Sequence, residues 1–239
     1  MTTIPLALIG LGRMGRTLEQ LAPERGFTVV ARIGRAPDAA SAITRDTLAG
    51  AAVAIEFTTP ASAAANARAC VAAGCPVVVG TTGWYDALPA LRKEVMERKG
   101  ALLTAPNFSL GVAVFERVVT EAARLFAVVP GFDAQMIEIH HAAKQDAPSG
   151  TAAALAAAAA AARGAPVPIT SVRTGSVPGT HELIFDAPFE QVRLIHEARD
   201  RRVFAEGALV AARWLVGRQG IFTMRDVIDA SLSTLHRGQ

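Results

Sequence analysis

The hexapeptide Gly10-Leu11-Gly12-Arg13-Met14-Gly15 follows directly on a short apolar run, residues 5–10, and opens a stretch, residues 13–20, that reads as a helix start. Few backbone arrangements accommodate that order. The first glycine permits a tight strand-to-helix turn, the second lets the backbone approach a diphosphate, and the third lets the helix lie against the strand. A diphosphate would sit at the positive end of the helix dipole, among N–H groups that have no partner inside the helix. A glycine-rich turn without a ligand can carry the same letters. What favours a dinucleotide is the position of the motif near the N-terminus, inside a strand–helix–strand rhythm.

That rhythm continues for about a hundred residues. Apolar runs at 27–31, 53–57, 75–79 and 102–104 alternate with helix-like segments at 62–73 and 88–99. Near-continuous apolar strands separated by helices imply a parallel sheet covered on both faces. Near Asn107 the pattern changes. A longer helix is expected over 112–125, and residues 132–141 then mix polar with apolar positions. An alanine-rich helix follows over 151–163, and strand-like pieces between 169 and 195 are broken by Gly175, Pro178, Gly179 and Pro188. The fold expected is α/β: an N-terminal Rossmann-like parallel sheet, then a second, α+β domain on a mixed or antiparallel sheet with one open face. The boundary falls near residues 107–111.

Bulk properties exclude more than they assign. The 239 residues are 51% hydrophobic and 19% charged, as in globular proteins with a sizeable core. Lys plus Arg number 24 against 21 for Asp plus Glu, and the resulting formal charge of +3 is too mild and scattered to argue for nucleic acid. Cys70 and Cys75, with no histidine nearby, make a poor zinc site and read as buried thiols in a reducing compartment. No basic leader precedes the first apolar run, and the longest apolar stretch, residues 152–162, is too short to span a bilayer. A cytoplasmic protein without a membrane partner is expected.

The end of the second strand bears on the cofactor. An acidic residue there would hold the ribose hydroxyls of NAD(H). The chain has Arg32-Ile33-Gly34-Arg35 instead, and no carboxylate before Asp38. Guanidinium groups pair with phosphate through a bidentate fork, so this stretch, Arg35 above all, suits the extra phosphate of NADP(H). NADPH is the expected preference, with NADH possible. Two further loops, Gly80-Thr81-Thr82-Gly83 and Ala105-Pro106-Asn107-Phe108, follow strand-like runs and are placed to touch the nicotinamide half. Ordinary turn chemistry of glycine and proline accounts equally well for either loop alone.

The densest chemistry lies at residues 138–151, Glu-Ile-His-His-Ala-Ala-Lys-Gln-Asp-Ala-Pro-Ser-Gly-Thr. Alternation along a strand puts Met136, Glu138 and His140 on one face and sends His141 to the other, so the two histidines should not share a role. His140 could give or take a proton near neutral pH, and Lys144 could hold a carboxylate. Ser149, Gly150 and Thr151 open the alanine-rich helix, where hydroxyls and free N–H groups can bind an anion; either hydroxyl could equally be a simple cap. Adjacent histidines outside any H-E-x-x-H pattern do not make a metal site, and no G-x-S-x-G elbow supports serine hydrolysis.

This segment resembles the signature of the dihydrodipicolinate reductases. Glu56-Phe57-Thr58, Gly80-Thr81-Thr82-Gly83, residues 105–112, Ser171-Val172-Arg173-Thr174-Gly175, His181 and residues 220–227 resemble motifs of the same family, in the same order. The resemblance implies an NAD(P)H-dependent reductase of the lysine and diaminopimelate pathway acting on a cyclic imine dicarboxylate. It implies that Gly10, Gly12, Arg13, Met14, Gly15, Arg35, Gly80, Thr81, Thr82, Ala105, Pro106, Asn107 and Phe108 hold the cofactor. By the same resemblance His140 is the general acid, Lys144 anchors a substrate carboxylate, and Gly150, Thr151 and His141 bind substrate. Residues 1–108 and 214–239 would form the dinucleotide domain, and residues 109–213 would bind substrate and join a homotetramer, with closure about residues 107–111. The chain departs from the family twice: its glycine loop is one residue short, and Gly34 stands where many members carry glutamate. The second departure bears on cofactor choice, not on the reaction. Two other readings remain: a related imine or amino-acid dehydrogenase, and a nicotinamide-binding sensor without catalysis.

Overall fold

The computed structural model describes residues 3–34 and 42–236. In chain order it begins with β1 (Ile4–Ile9), α1 (Arg13–Leu21), β2 (Phe27–Ile33), β3 (Val53–Glu56), α2 (Pro60–Ala72), β4 (Val77–Val79), α3 (Leu88–Glu97) and β5 (Ala101–Thr104). There follow α4 (Leu110–Phe126), β6 (Asp133–His140), α5 (Gly150–Arg163), β7 (Ile169–Arg173), β8 (Thr180–Ala187) and β9 (Glu190–Glu197). The chain ends with α6 (Arg202–Leu215), β10 (Gly220–Phe222) and α7 (Met224–His236). Two compact units result, one of residues 1–109 and 204–239, the other of residues 110–203.

The first unit is a six-stranded sheet in the order β10-β5-β4-β3-β1-β2, every pair parallel. Parallel strands need crossovers, and α1, α2 and α3 supply them. The strands β3, β4 and β5 are buried along their whole length, which explains why they read as unbroken apolar runs. The strand order reverses between β1 and β3, and at such a switch point the loops leaving the two carboxyl ends diverge to form a ligand crevice. The loops in question carry Gly10 and Phe57.

The chain returns to this unit at Phe204, ten residues before the point expected from sequence. The helix α6 provides the reason. Glu206 forms a two-pronged ion pair with Arg25, and the Arg213 guanidinium lies 5.1 Å from the centre of the Phe27 ring. Alanines 205, 208, 211 and 212 are buried along the same helix. An alanine-rich stretch of this kind carries no sign of which core it joins.

The second unit is a mixed four-stranded sheet, β7-β6-β8-β9, in which β6 pairs parallel with β7 and antiparallel with β8. One face packs Met136, Leu183 and Phe185 against Phe115 and Val119 of α4 and Leu155, Ala156 and Ala159 of α5. The small alanine side chains let α5 lie close to the sheet, and Gly164 ends the helix in a left-handed conformation (φ 70°) that favours glycine. The other face is open, with Val172 and Ile195 exposed. Among the described residues no helix is long and apolar enough to cross a membrane.

Candidate active site

In the first unit, three loops converge on one residue of a fourth, Phe57. Gly10 adopts φ +94°, and a Cβ there would lie 2.0 Å from the Phe57 carbonyl oxygen. A Cβ on Gly80 would lie 2.1 Å from the Phe57 ring, and Phe108 meets that ring edge-on at 6.0 Å between centres. The loops after β1, β4 and β5 thus pack on Phe57 in the loop after β3, and two of them can do so only as glycine. The third glycine, Gly15, is buried where a Cβ would stand 2.0 Å from the Gly10 carbonyl oxygen, so α1 lies directly against the turn.

Beneath these loops lies a buried carboxyl. Glu56 accepts hydrogen bonds from the hydroxyls of Thr58 and Thr81 and from the Asn66 amide, and the Thr81 hydroxyl also receives the Thr58 N–H at 2.8 Å. Burial pushes the Glu56 carboxyl up, against the pull of those bonds. Thr81, expected at the cofactor, therefore turns its hydroxyl inward and leaves only loop backbone and the exposed Thr82 facing out. Trp84 pins the same loop by donating to the Thr81 carbonyl at 2.7 Å. Ala105 and Phe108 are buried, Pro106 is exposed, and the Asn107 side chain accepts the Ser109 N–H in a local turn.

The residues present fit a dinucleotide's diphosphate. The helix α1 has Gly12 as its N-cap, with no side chain capping its N–H groups and no acidic residue in its first turn, and Gly12 itself borders open space. Arg13 is exposed at that start and Met14 partly so. Arg32 is engaged elsewhere: its guanidinium pairs with Glu19 of α1 at 2.5 Å. Arg35, the other half of the sequence argument for NADP(H), lies outside the described residues.

In the second unit the residues singled out from sequence lie on the segment from β6 to α5. Alternation along β6 buries Ala134, Met136, Glu138 and His140 on one face, as the sequence pattern requires. Glu138 is fully buried and accepts four hydrogen bonds. They come from Arg173 on β7 at 2.6 Å, from the Ser149 N–H at 3.2 Å, from the His140 ring through Nδ1, and from the Ser171 side chain. Burial alone would push this carboxyl up, but its donors together hold it down at about 2. The same burial lowers His140, while the Glu138 carboxylate raises it and Lys144 and Arg173 lower it again.

Lys144 lies just past β6 with its ammonium 2.7 Å from Asp146, whose carboxylate also takes the Gly150 N–H at the start of α5. Ser149 is the N-cap, its hydroxyl accepting from Ala152 N at 3.1 Å. Thr151 is partly buried one residue further on. His141 points away from His140, as expected, and meets Arg201 at 3.0 Å. His140, Lys144, Gly150 and Thr151 are therefore gathered on one short segment, with His141 turned aside.

Two participants escaped the residue-by-residue reading. Arg173 sits 35 residues from Glu138 and meets it only because β6 and β7 pair in register, His140 beside Arg173. His181 stands opposite Glu138 on β8, its ring 5.3 Å from that of His140 and its Nε2 3.4 Å from the Ser149 hydroxyl. Both carried a weak signal, since each falls within a motif that resembled the family.

The family model for the N-terminal part of dihydrodipicolinate reductase matches residues 4–108, and that for the C-terminal part matches residues 111–228. The chain belongs to the dihydrodipicolinate reductase family. Membership makes it a pyridine-nucleotide-dependent oxidoreductase of lysine and diaminopimelate biosynthesis. Relatives named 4-hydroxy-tetrahydrodipicolinate reductase include one from Xanthomonas campestris pv. campestris (strain B100), 41% identical over 95% of this chain and 100% of its own. Another, from Christiangramia forsetii, is 34% identical over 94% of this chain and 97% of its own. Among solved structures, a dipicolinate-bound dihydrodipicolinate reductase from Paenisporosarcina sp. TG-14 shares the fold with a TM-score of 0.78 at 21% identity, covering 94% of this chain and 99% of its own. The NAD complex of GenD2 from gentamicin A biosynthesis is similar at a TM-score of 0.60 and 12% identity, over 90% of this chain and 86% of its own.

The ionisation pattern of the family's signature segment has a consequence for stability. Burial first, then the charges of His140 and His196, lower His181 from an ordinary 6.5 to about 4, so the fold keeps it neutral. The unfolded chain binds that proton first as pH falls. Stability from this group is complete above pH 6.5 and declines toward pH 4; that from Glu138 is complete above 4.5 and declines toward 2. Urea denaturation between pH 7 and 4 should show falling stability, and His181→Asn should flatten that slope by up to about 3 kcal/mol. An unchanged slope in the variant would contradict the assignment.

Proposed function

We propose that the protein reduces 4-hydroxy-tetrahydrodipicolinate to tetrahydrodipicolinate with loss of water, that NADPH is its preferred reductant, and that His140 is the general acid. The observation that carries this reading is the gathering of His140, Lys144 and the start of α5 on one segment of the second unit, in a chain whose first unit carries a family-matching glycine loop. The cyclic dicarboxylate on the Paenisporosarcina reductase is of the substrate class that such donors suit.

The Lys144 ammonium and the N–H groups and hydroxyl of Gly150 and Thr151 hold a substrate carboxylate, which takes the place of Asp146 as partner of Lys144 and of the Gly150 N–H; His141 adds a further polar contact. The ring first loses its hydroxyl and a proton from the adjacent carbon as water, and a bound nicotinamide would then supply a hydride to the ring. His140 then donates a proton to the carbanion-like carbon that results, forming the second new C–H bond. The diphosphate is held by Gly10, Gly12, Arg13, Met14 and Gly15. The nicotinamide half is lined by Gly80, Thr81 through its backbone, Thr82 and the loop Ala105, Pro106, Asn107 and Phe108. Arg35 takes the phosphate of NADP(H), since Arg32 is committed to Glu19. The open face of the second sheet, with exposed Val172 and Ile195, supports a homotetramer joined through that face. Two buried free thiols, Cys70 and Cys75, support a reducing cytoplasmic setting.

His140→Gln should lower turnover by about 10²- to 10⁴-fold, the usual worth of a positioned acid. A loss below about threefold in steady-state kinetics would remove His140 from that role. Lys144→Ala should chiefly raise KM if the lysine only binds substrate, and should lower kcat as well if it also polarises the ring. Cofactor choice is tested by kcat/KM with NADPH and with NADH: the wild type should favour NADPH, and Arg35→Ala should erase most of that preference. Equal efficiencies in the wild type would overturn the arginine argument.

A further inference from the structure

The reading of His140 as general acid leaves open what selects the nitrogen that acts. The Glu138 carboxylate engages Nδ1 of the ring through Oε2. Its other oxygen is fixed by the Arg173 guanidinium at 2.6 Å and the Ser149 N–H at 3.2 Å, so the carboxylate cannot rotate without breaking three bonds. Arg173 is itself anchored, to the Asp146 carbonyl at 2.6 Å and the Val172 carbonyl at 2.8 Å. On the opposite side of the ring, a Cβ at Gly179 would stand 3.0 Å from Nε2 and 3.3 Å from Cδ2. Gly179 has φ +154°, a conformation that side chains rarely adopt, and any side chain there would cover the nitrogen.

We propose that Glu138 is a positioning residue for the proton transfer: it fixes the His140 ring with its proton on Nδ1, so that Nε2, left open by Gly179, is the atom that delivers. The proposal rests on the reading of His140 as the acid. In the charged ring both nitrogens bear protons. Nε2 releases its proton to the substrate carbon, the C–H bond forms, and the ring returns to the neutral form with its proton still on Nδ1. Glu138 stays ionised throughout and takes no proton, because its four donors all stabilise the carboxylate. Solvent then restores the proton on Nε2.

The charges around the ring make the carboxylate necessary. Lys144, in the loop after β6, and Arg173, on β7, both oppose a second proton on His140, as does burial. His181 faces it from β8, with His196 of β9 behind at 6.3 Å. Glu138 alone among these favours the charged ring. A glutamine in its place keeps the shape and loses the charge, so the acid should lose its proton at lower pH.

Two measurements test this. In wild-type protein labelled with 15N-histidine, the neutral His140 ring should carry its proton on Nδ1, against the ordinary preference of free imidazole for Nε2; the resonance is assigned by its absence in His140→Gln. A neutral ring protonated on Nε2 would overturn the proposal without any variant having to fold. In kinetics, Glu138→Gln should lower kcat by about 10²-fold with KM within about threefold, and should move the high-pH limb of kcat downward. In the His140→Gln background the same change should have no further effect on kcat, because Glu138 acts through the ring. Losses that multiply would mean a structural role and would contradict the proposal. If His140→Gln alone were nearly neutral, the acid assignment itself would have failed, which the tautomer measurement distinguishes.

Discussion

A buried, ionised carboxylate on β6 organises the second unit. Glu138 gathers donors from β6, β7 and the N-terminus of α5, and two of them, Arg173 and Ser149, are themselves held by further hydrogen bonds. Removing one partner from a buried pair of this kind typically costs about 3–5 kcal/mol, because a desolvated charge is left without compensation. The arrangement therefore fixes the register of β6 on β7 and the starting point of α5. It also sets where His140 and Lys144 project. Glu56 in the first unit shows how much the donors matter. It too has no accessible surface, but it receives two hydroxyls and an amide and no guanidinium, and burial wins. The two carboxyls are driven in opposite directions by the balance of desolvation and donors at each.

The two units differ in the kind of backbone each provides. A parallel sheet ends in diverging loops and helix N-termini, which suit a long anionic ligand held by N–H groups rather than by charge. Phe57 packs those loops together, and glycine at positions 10 and 80 is what permits its approach. A mixed sheet instead brings side chains from neighbouring strands into register. It places Glu138 beside His181 and His140 beside Arg173, a cluster of opposed charges that a bundle of loops would hold less firmly.

Much of this was legible in the sequence where the signal is local. The glycine hexapeptide named its own geometry, the apolar runs gave the parallel strands, and alternation along β6 put Met136, Glu138 and His140 on one face. What the sequence withheld depends on contacts between distant residues. The Glu138–Arg173 pair spans 35 residues and exists only in the register of β6 on β7. Arg32 read as a phosphate ligand because nothing local shows that Glu19, 13 residues earlier on α1, already pairs with it. The inward turn of the Thr81 hydroxyl was hidden because a loop residue gives no hint of a buried carboxyl beneath it. The return to the first unit at Phe204 was hidden because alanine-rich α6 could have lain on either core.

The central claim is that this chain is a reductase of a cyclic imine dicarboxylate. The most direct measurement generates that unstable substrate in situ, from pyruvate and aspartate semialdehyde by its synthase, and follows NADPH oxidation. Rapid oxidation that depends on the synthase is the result expected here. No oxidation by folded protein that still binds the nucleotide would contradict it.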